Sequence, residues 1–291
     1  MAALRFKQVD VFTQKPFLGN PVAVVLDADG LNQDRMQSIA AWTNLSETTF
    51  VLAPSTPDAD YRVRIFTPKQ ELPFAGHPTL GSAHAVIESG VAIPRHGKLR
   101  QECVAGIVDL FIETTSQGNR LFLETPQAKL KALDSASTAD LAAAVGAATI
   151  PNSPALRIDV GVVWLIADLG NAEALAALTP EINRVQQLSM HNQAAGITVF
   201  GRAHSDVGQI HVRSFAPALG VTEDPVCGSG NAGVAAYLLH TGLLHDFGVE
   251  YSARQGMQLG RDGVVAVRVQ GNAIRIGGYA VTCVDGNLRI D

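Results

Sequence analysis

Three short segments of this chain carry residue types that could move a proton or hold an anion. In Asn44-Leu45-Ser46-Glu47-Thr48-Thr49-Phe50 a single carboxylate, Glu47, stands between Leu45 and Phe50 at the start of a strand. Partial withdrawal from water there would raise its pKa toward the range useful for general acid–base work, although a lone glutamate is more often a plain surface charge. In Phe74-Ala75-Gly76-His77-Pro78 a turn opens a helix and points backbone N–H groups and an imidazole toward one spot. Such a spot can hold a carboxylate without further charge, while a histidine capping its own helix is an equally weighted alternative. In Glu223-Asp224-Pro225-Val226-Cys227-Gly228-Ser229-Gly230-Asn231 a second such turn places Cys227 at a helix N-terminus. A thiolate is favoured there and could act as base or nucleophile; the alternative is a small buried residue. Cys103 and Cys283 lie in strand-like sequence and take that second reading.

Two other chemistries fit poorly. Gly228-Ser-Gly230-Asn-Ala-Gly233 spells the dinucleotide-binding pattern, and Glu250 falls where a ribose-binding acid would. That fingerprint needs an apolar strand running into its first glycine, and here Glu-Asp-Pro intervenes. The eight histidines show no HxH or HExxH spacing, so neither a metal nor any other cofactor is expected.

The residues are arranged twice. Around Val63 the chain reads VRIFTPKQELPFAGHPTLGSAHAV and around Val212 VRSFAPALGVTEDPVCGSGNAGVAAYL, with Phe66 and Phe215 149 residues apart in a chain of 291. GNPVAVVLD (Gly19 to Asp27) is echoed by GVVWLIAD (Gly161 to Asp168), offset by 142. Two echoes at similar offsets indicate a duplicated unit with a site in the cleft between the halves. Strands are expected at 6–12, 21–26, near 51 and 63–65, at 108–112, 120–124, 157–167, 196–201 and 208–215, and in closing hairpins at 264–270, 273–281 and 283–290. Helices are expected over Leu31 to Thr43 with Asn32 as cap, over Gly76 to Glu88 with Pro78 at the first helical position, on the surface at Ala139 to Val145, and near 171–178 and 229–242. Many strands and few helices mark α+β units rather than a doubly wound parallel sheet.

Bulk composition agrees with two such units. Apolar residues make up 47% and charged residues 17%, an ordinary globular balance, and the net charge of −5 is spread along the chain without a basic cluster. Nucleic acid and anionic membrane are therefore not expected partners. Arg5 and Lys7 interrupt what a signal peptide would keep apolar, and three dispersed cysteines suit a reducing compartment. A cytoplasmic location is the expectation.

GNPVAVVLDADGL, NLSETTFVL, VRIFTPKQELPFAGHPTLG and RSFAPALGVTEDPVCGSGNAG together closely resemble the PhzF-type phenazine-biosynthesis family, a branch of the diaminopimelate epimerase superfamily. The resemblance runs over nearly the whole chain, in order. It implies two similar α+β halves, each a curved mixed sheet around a central helix, an active site between them, and a homodimer. The halves would be residues 1–118, completed by about 280–291, and 119–279. It further implies that Glu47 is the proton-shuttling carboxylate, that His77 and Asp224 are polar groups close to the substrate, and that Gly76, Gly228 and Ser229 hold the substrate carboxylate. Asn20, which matches the asparagine of the GNP motif, and Cys227 are further expected among the substrate-binding residues. Epimerases of the superfamily oppose two cysteines; here Ala75 replaces one, while Cys227 stands in the second turn where phenazine members carry threonine.

These readings converge on a cofactor-independent isomerase acting on a small carboxylate-bearing molecule through Glu47. Two alternatives stay open: a one-thiol lyase or epimerase using Cys227, and a protein that keeps the fold and binds a small molecule without turnover.

Overall fold

The structure, a computed structural model, describes residues 3–151, 153–203 and 208–290. The chain forms two compact units, Met1–Leu123 with Gly277–Asp291, and Glu124–Ile276. The first unit contains β1 (Ala3–Val11), β2 (Asn20–Val25), β3 (Thr48–Leu52), β4 (Tyr61–Phe66), β5 (Glu71–Leu72), β6 (Lys98–Cys103), β7 (Gly106–Thr115) and β8 (Gly118–Glu124). Helix α1 (Gln33–Thr43) joins β2 to β3, and α2 (Gly76–Glu88) joins β5 to β6. The second unit contains β9 (Lys129–Ala132), α3 (Ser135–Val145), β10 (Leu156–Asp159), β11 (Val163–Asn171), α4 (Ala172–Ala176), α5 (Ile182–His191), β12 (Gly196–Arg202), β13 (Ile210–Ala216), β14 (Val221–Asp224), α6 (Gly228–Thr241), β15 (Glu250–Gln255), β16 (Gly263–Gln270) and β17 (Ala273–Gly278). The last strand, β18 (Ala280–Arg289), pairs antiparallel with β1.

Strand pairing shows the duplication more sharply than the sequence does. In the first unit β1 pairs antiparallel with β2, β2 parallel with β3, and β3 antiparallel with β4. Strand β4 then pairs antiparallel with the short β5 and parallel with β6, which continues antiparallel to β7. The second unit repeats every step with β10, β11, β12, β13, β14, β15 and β16. Parallel neighbours require a crossover, which α1 and α2 supply in one unit, and α4 with α5, and α6, in the other. The echoed segments fall on equivalent elements: GNPVAVVLD supplies β2 and GVVWLIAD β11, while the two Arg-x-Phe runs supply β4 and β13.

Both site helices are built from small residues because sheet closes around them. In α2 every residue from Pro78 to Ala83 is buried, and α6 is buried from Gly230 to Leu238. Close approach decides Gly81, where an added Cβ would lie 2.4 Å from Val22 Cγ1 on β2. The outer helices pack through ordinary apolar faces: Met36, Ile39 and Ala40 of α1 against Val25, Phe50 and Phe66, and Val185 and Leu188 of α5 within a cluster that includes Leu165, Val199 and Phe215.

The repeated Arg-x-Phe has one structural cause in both units. Arg64 Nε and Nη2 each donate to Glu71 on β5 at 2.7 Å, and the guanidinium lies over the Phe66 ring at 5.2 Å. Arg213 Nε and Nη2 donate to Glu223 on β14 at 2.8 and 2.9 Å, with the guanidinium over Phe215 at 5.0 Å. Each bidentate pair fixes the hairpin that leads into a site turn.

Several elements differ from the sequence reading. The expected strand 157–167 is a hairpin of β10 and β11, because Gly161 adopts a positive φ of 94°. Helix α5 and strands β5, β9, β14 and β15 have no counterpart among the expected elements, and of β6 only the sequence around Cys103 reads as strand. Helix α3 begins four residues earlier than expected, with Asp134 capping Ser137 N–H at 2.7 Å, and it buries Leu141, Ala144 and Val145 rather than lying wholly on the surface. Pro78 is the third residue of α2, not the first; its missing N–H still falls within the turn that has no helical acceptor. His204 lies outside the described residues.

Candidate functional site

In the first unit the site residues gather around the start of α2. Helix α1 ends at Asn44, which caps it in a left-handed conformation (φ 55°) and returns the chain toward β3. The Glu47 carbonyl then accepts from Ala23 N–H on β2 at 3.3 Å, so the glutamate is pinned before β3 begins. His77 is the second residue of α2, and its Nε2 lies 3.3 Å from Glu47 Oε2. Both side chains are nearly enclosed, His77 11% and Glu47 16% exposed. Burial pushes the imidazole down to about 4, against the opposing effect of a hydrogen bond to the Pro21 carbonyl. The ring is therefore neutral near pH 7, and its contact with Glu47 is not an ion pair. Asn20, the first residue of β2 and 1% exposed, immediately precedes Pro21. Gly76 opens α2, and the nearest atom to an added Cβ there would be Leu123 Cδ2 at 3.9 Å.

In the second unit the counterpart turn joins β14 to α6. Asp224 ends β14, and its Oδ1 accepts from Val226 N–H at 3.0 Å, a local turn of the kind aspartate favours. Burial raises its carboxyl to about 6, an effect opposed by the Val226 N–H and the Cys227 thiol and reinforced by the charge of Glu223. Cys227 is the N-cap of α6, is 4% exposed, and accepts from Gly230 N–H through Sγ at 3.2 Å. Ser229 Oγ accepts from Trp164 Nε1 at 2.9 Å and lies 3.6 Å from Cys227 Sγ. Gly228 is the first residue of the helix.

Of the two readings of Cys227, the small buried residue is favoured and the thiolate is not. Burial pushes the thiol far up, and the neighbouring Asp224 adds to the shift, outweighing the hydrogen bonds from Ser229, Gly230 and Ser214. One helix N–H, from Gly230, and two hydroxyls cannot offset the loss of water around a charged sulfur. Ala75, the N-cap of α2, occupies the matching position in the first unit. Among the described residues no group of three or more His, Cys, Asp or Glu side chains is placed to hold a metal ion.

The structure thus brings Asn20, Glu47, Gly76 and His77 to one helix start, and Asp224, Cys227, Gly228 and Ser229 to the other. Sequence reasoning missed the Pro21 carbonyl, Trp164, Asn231 and Gln255, all of which touch these residues. Pro21 and Asn231 lie within the family motifs and Trp164 within an echoed strand, while Gln255 carries no signal.

Comparison with known proteins identifies the family. The phenazine biosynthesis-like protein family (PhzC-PhzF) matches residues 9–286. The chain belongs to this family. A Schizosaccharomyces pombe relative named Antisense-enhancing sequence 1 is 42% identical over 97% of this chain and 97% of its own. The trans-2,3-dihydro-3-hydroxyanthranilate isomerase of Pseudomonas aeruginosa is 34% identical over 96% of this chain and 95% of its own. The crystal structure of a PhzF-family protein from Bacillus anthracis superposes with a TM-score of 0.87 at 29% identity, covering 100% of both chains. A hydroxyproline epimerase from Agrobacterium vitis shares the fold alone, with a TM-score of 0.62 at 16% identity over 98% and 92% of the two chains. The fold is the α+β diaminopimelate epimerase-like one that the PhzF resemblance implied, and the protein is an isomerase of the PhzF type. No helix among the described residues is long and apolar enough to cross a membrane.

Proposed function

We propose that this isomerase works without a cofactor on a small carboxylate-bearing substrate, with Glu47 taking a proton from one activated carbon and returning it to another. The observation that carries the reading is the enclosed Glu47–His77 contact of 3.3 Å. A neutral imidazole has one N–H, and the Pro21 carbonyl accepts a hydrogen bond from the ring. Nε2 then faces Glu47 with a lone pair. The contact becomes a hydrogen bond when the carboxyl carries a proton and is lost when it does not, which suits a group that must take a proton and give it back. His77 orients the shuttle rather than replacing it.

The other residues keep the parts that the resemblance gives them. Asp224, with its carboxyl near 6, can exchange a proton close to neutral pH. Gly76, Gly228 and Ser229 hold the substrate carboxylate and stabilise developing negative charge through helix N-terminal N–H groups. Asn20 contributes a substrate contact at the GNP motif. A homodimer belongs to the same proposal and is testable by size-exclusion chromatography with light scattering.

The substrate test uses trans-2,3-dihydro-3-hydroxyanthranilate, the compound named for the Pseudomonas aeruginosa relative, with a panel of cyclic and amino-acid-like carboxylates, followed by NMR. The reading expects wild-type enzyme to isomerise at least one of them. Glu47→Gln should fold normally and lose activity by a factor on the order of 100 or more. A substrate turned over equally well by the variant removes Glu47 from the chemistry.

A further inference from the structure

Gln255, the last residue of β15, is fully buried, and its side-chain amide makes three hydrogen bonds to one short stretch of chain. Its Oε1 accepts from the Cys227 backbone N–H at 3.1 Å and from Asn231 Nδ2 at 3.0 Å, and its Nε2 donates to the Asp224 carbonyl at 2.9 Å. Asn231 Nδ2 also donates to the Cys227 carbonyl at 2.8 Å. One amide therefore ties together the end of β14, the N-cap of α6 and the fourth residue of that helix.

The matching strand of the first unit shows that this is more than core polarity. Gln101 on β6 is equally buried, but its bonds run to side chains, accepting from Tyr61 Oη at 3.0 Å and donating to Thr79 Oγ1 at 3.0 Å. Gln101 stands opposite Tyr61 on β4, and Gln255 opposite Val212 on β13. Measured from the phenylalanine of each Arg-x-Phe run, Gln255 lies two residues closer to its turn and on the same strand face. The shift carries its amide to the backbone of Asp224 and Cys227, in addition to the helix side chain of Asn231. The backbone comes close here as well: Gly256 has a φ of 99°, and an added Cβ would meet the Pro225 carbonyl oxygen at 2.5 Å.

A helix start leaves its first N–H groups without helical acceptors. Gln255 takes that of Cys227, and Cys227 Sγ takes that of Gly230. The N–H groups of Gly228 and Ser229 remain, together with the Ser229 hydroxyl, whose oxygen is oriented by Trp164 Nε1. We propose that Gln255 is the positioning residue of this turn: by fixing the backbone of Asp224 and Cys227 it aims the Gly228 and Ser229 N–H groups at a substrate carboxylate without touching the substrate itself. The inference rests on the reading that this turn serves a substrate carboxylate.

The test compares wild-type enzyme with Gln255→Leu, which removes all three bonds at similar volume, and Gln255→Glu, which keeps the two acceptor bonds and loses the donor. Peptide-resolved hydrogen exchange is the first readout. Exchange across residues 224–230 should accelerate about tenfold or more in the leucine variant and less in the glutamate variant, while the rest of residues 124–276 stays within about twofold. Unchanged exchange at the turn, or acceleration spread evenly over the unit, overturns the positioning role. If the leucine variant does not fold, the glutamate variant carries the comparison alone. The second readout, on any compound that wild-type enzyme isomerises, should be a KM raised about tenfold with kcat changed less than about threefold; a fall confined to kcat contradicts the proposal. Exchange needs no substrate, so its failure is separable from failure of the Glu47 reading.

Discussion

Glu47 and His77, thirty residues apart in the chain, are held 3.3 Å from each other by the same strand. Ala23 N–H binds the Glu47 carbonyl, and the Pro21 carbonyl accepts from the His77 ring, so two alternate residues of β2 set both sides of the contact. The GNPVAV run thus positions both Glu47 and His77.

His77 gives the protein an acid sensitivity of defined sign. Its imidazole titrates near 4 when folded and near 6.5 when unfolded, so between those values the unfolded chain binds more protons. Stability from this group is complete above about pH 6.5 and is lost as pH falls through the window, by roughly 2–3 kcal/mol. Urea denaturation of wild type and His77→Gln from pH 7 to 4 should show a shallower fall in the variant. Parallel curves would remove His77 as the cause.

Asp224 acts with the opposite sign. Its carboxyl titrates near 6 folded against 3.8 unfolded, so the folded chain binds more protons in that window and stability falls as pH rises through it. Asp224→Asn, neutral at every pH, should therefore be more stable relative to wild type at pH 7.5 than at pH 4, by about 2–3 kcal/mol. A difference independent of pH contradicts a raised carboxyl.

Cys227 should be chemically quiet. Its thiol is buried and held protonated, whereas Cys283 is partly exposed. Iodoacetamide at pH 8 should label Cys283 well before Cys227, and Cys227→Ser should reduce activity by about tenfold or less. Rapid labelling of Cys227 that substrate blocks, with full inactivation of the serine variant, would favour the one-thiol reaction instead.

The two arginine clamps differ in burial, and their removal should differ in cost. Arg213 is 6% exposed and also donates to the Leu175 carbonyl at 2.9 Å, while Arg64 is 25% exposed. Lysine cannot reproduce the fork. Arg213→Lys should cost about 2–4 kcal/mol in urea denaturation and Arg64→Lys about half as much or less. Equal losses would mean that the fork, not burial, sets the cost.

The sequence made the duplication legible because Arg-x-Phe and the Gly-containing turns need particular residue types at fixed spacing. It hid β14 and β15 because Val221–Asp224 is short and polar and the buried face of Glu250–Gln255 consists of Tyr251, Ala253 and Gln255, so neither shows an apolar strand pattern. Glu47, His77 and Asp224 were recognisable as motif residues. Gln255 was not, since a neutral amide has no spacing signature and its partners are backbone groups far away in the chain. The sequence left two readings of Cys227 open because helix position is visible in sequence and burial is not.

The proton itself offers the most direct test of Glu47. In D2O, under single-turnover conditions and with a compound that wild-type enzyme isomerises, the receiving carbon should keep part of the original hydrogen, because one enclosed carboxyl carries it between two carbons. Glu47→Gln should show neither transfer nor exchange. Hydrogen transfer by Glu47→Gln at the wild-type rate would contradict the account.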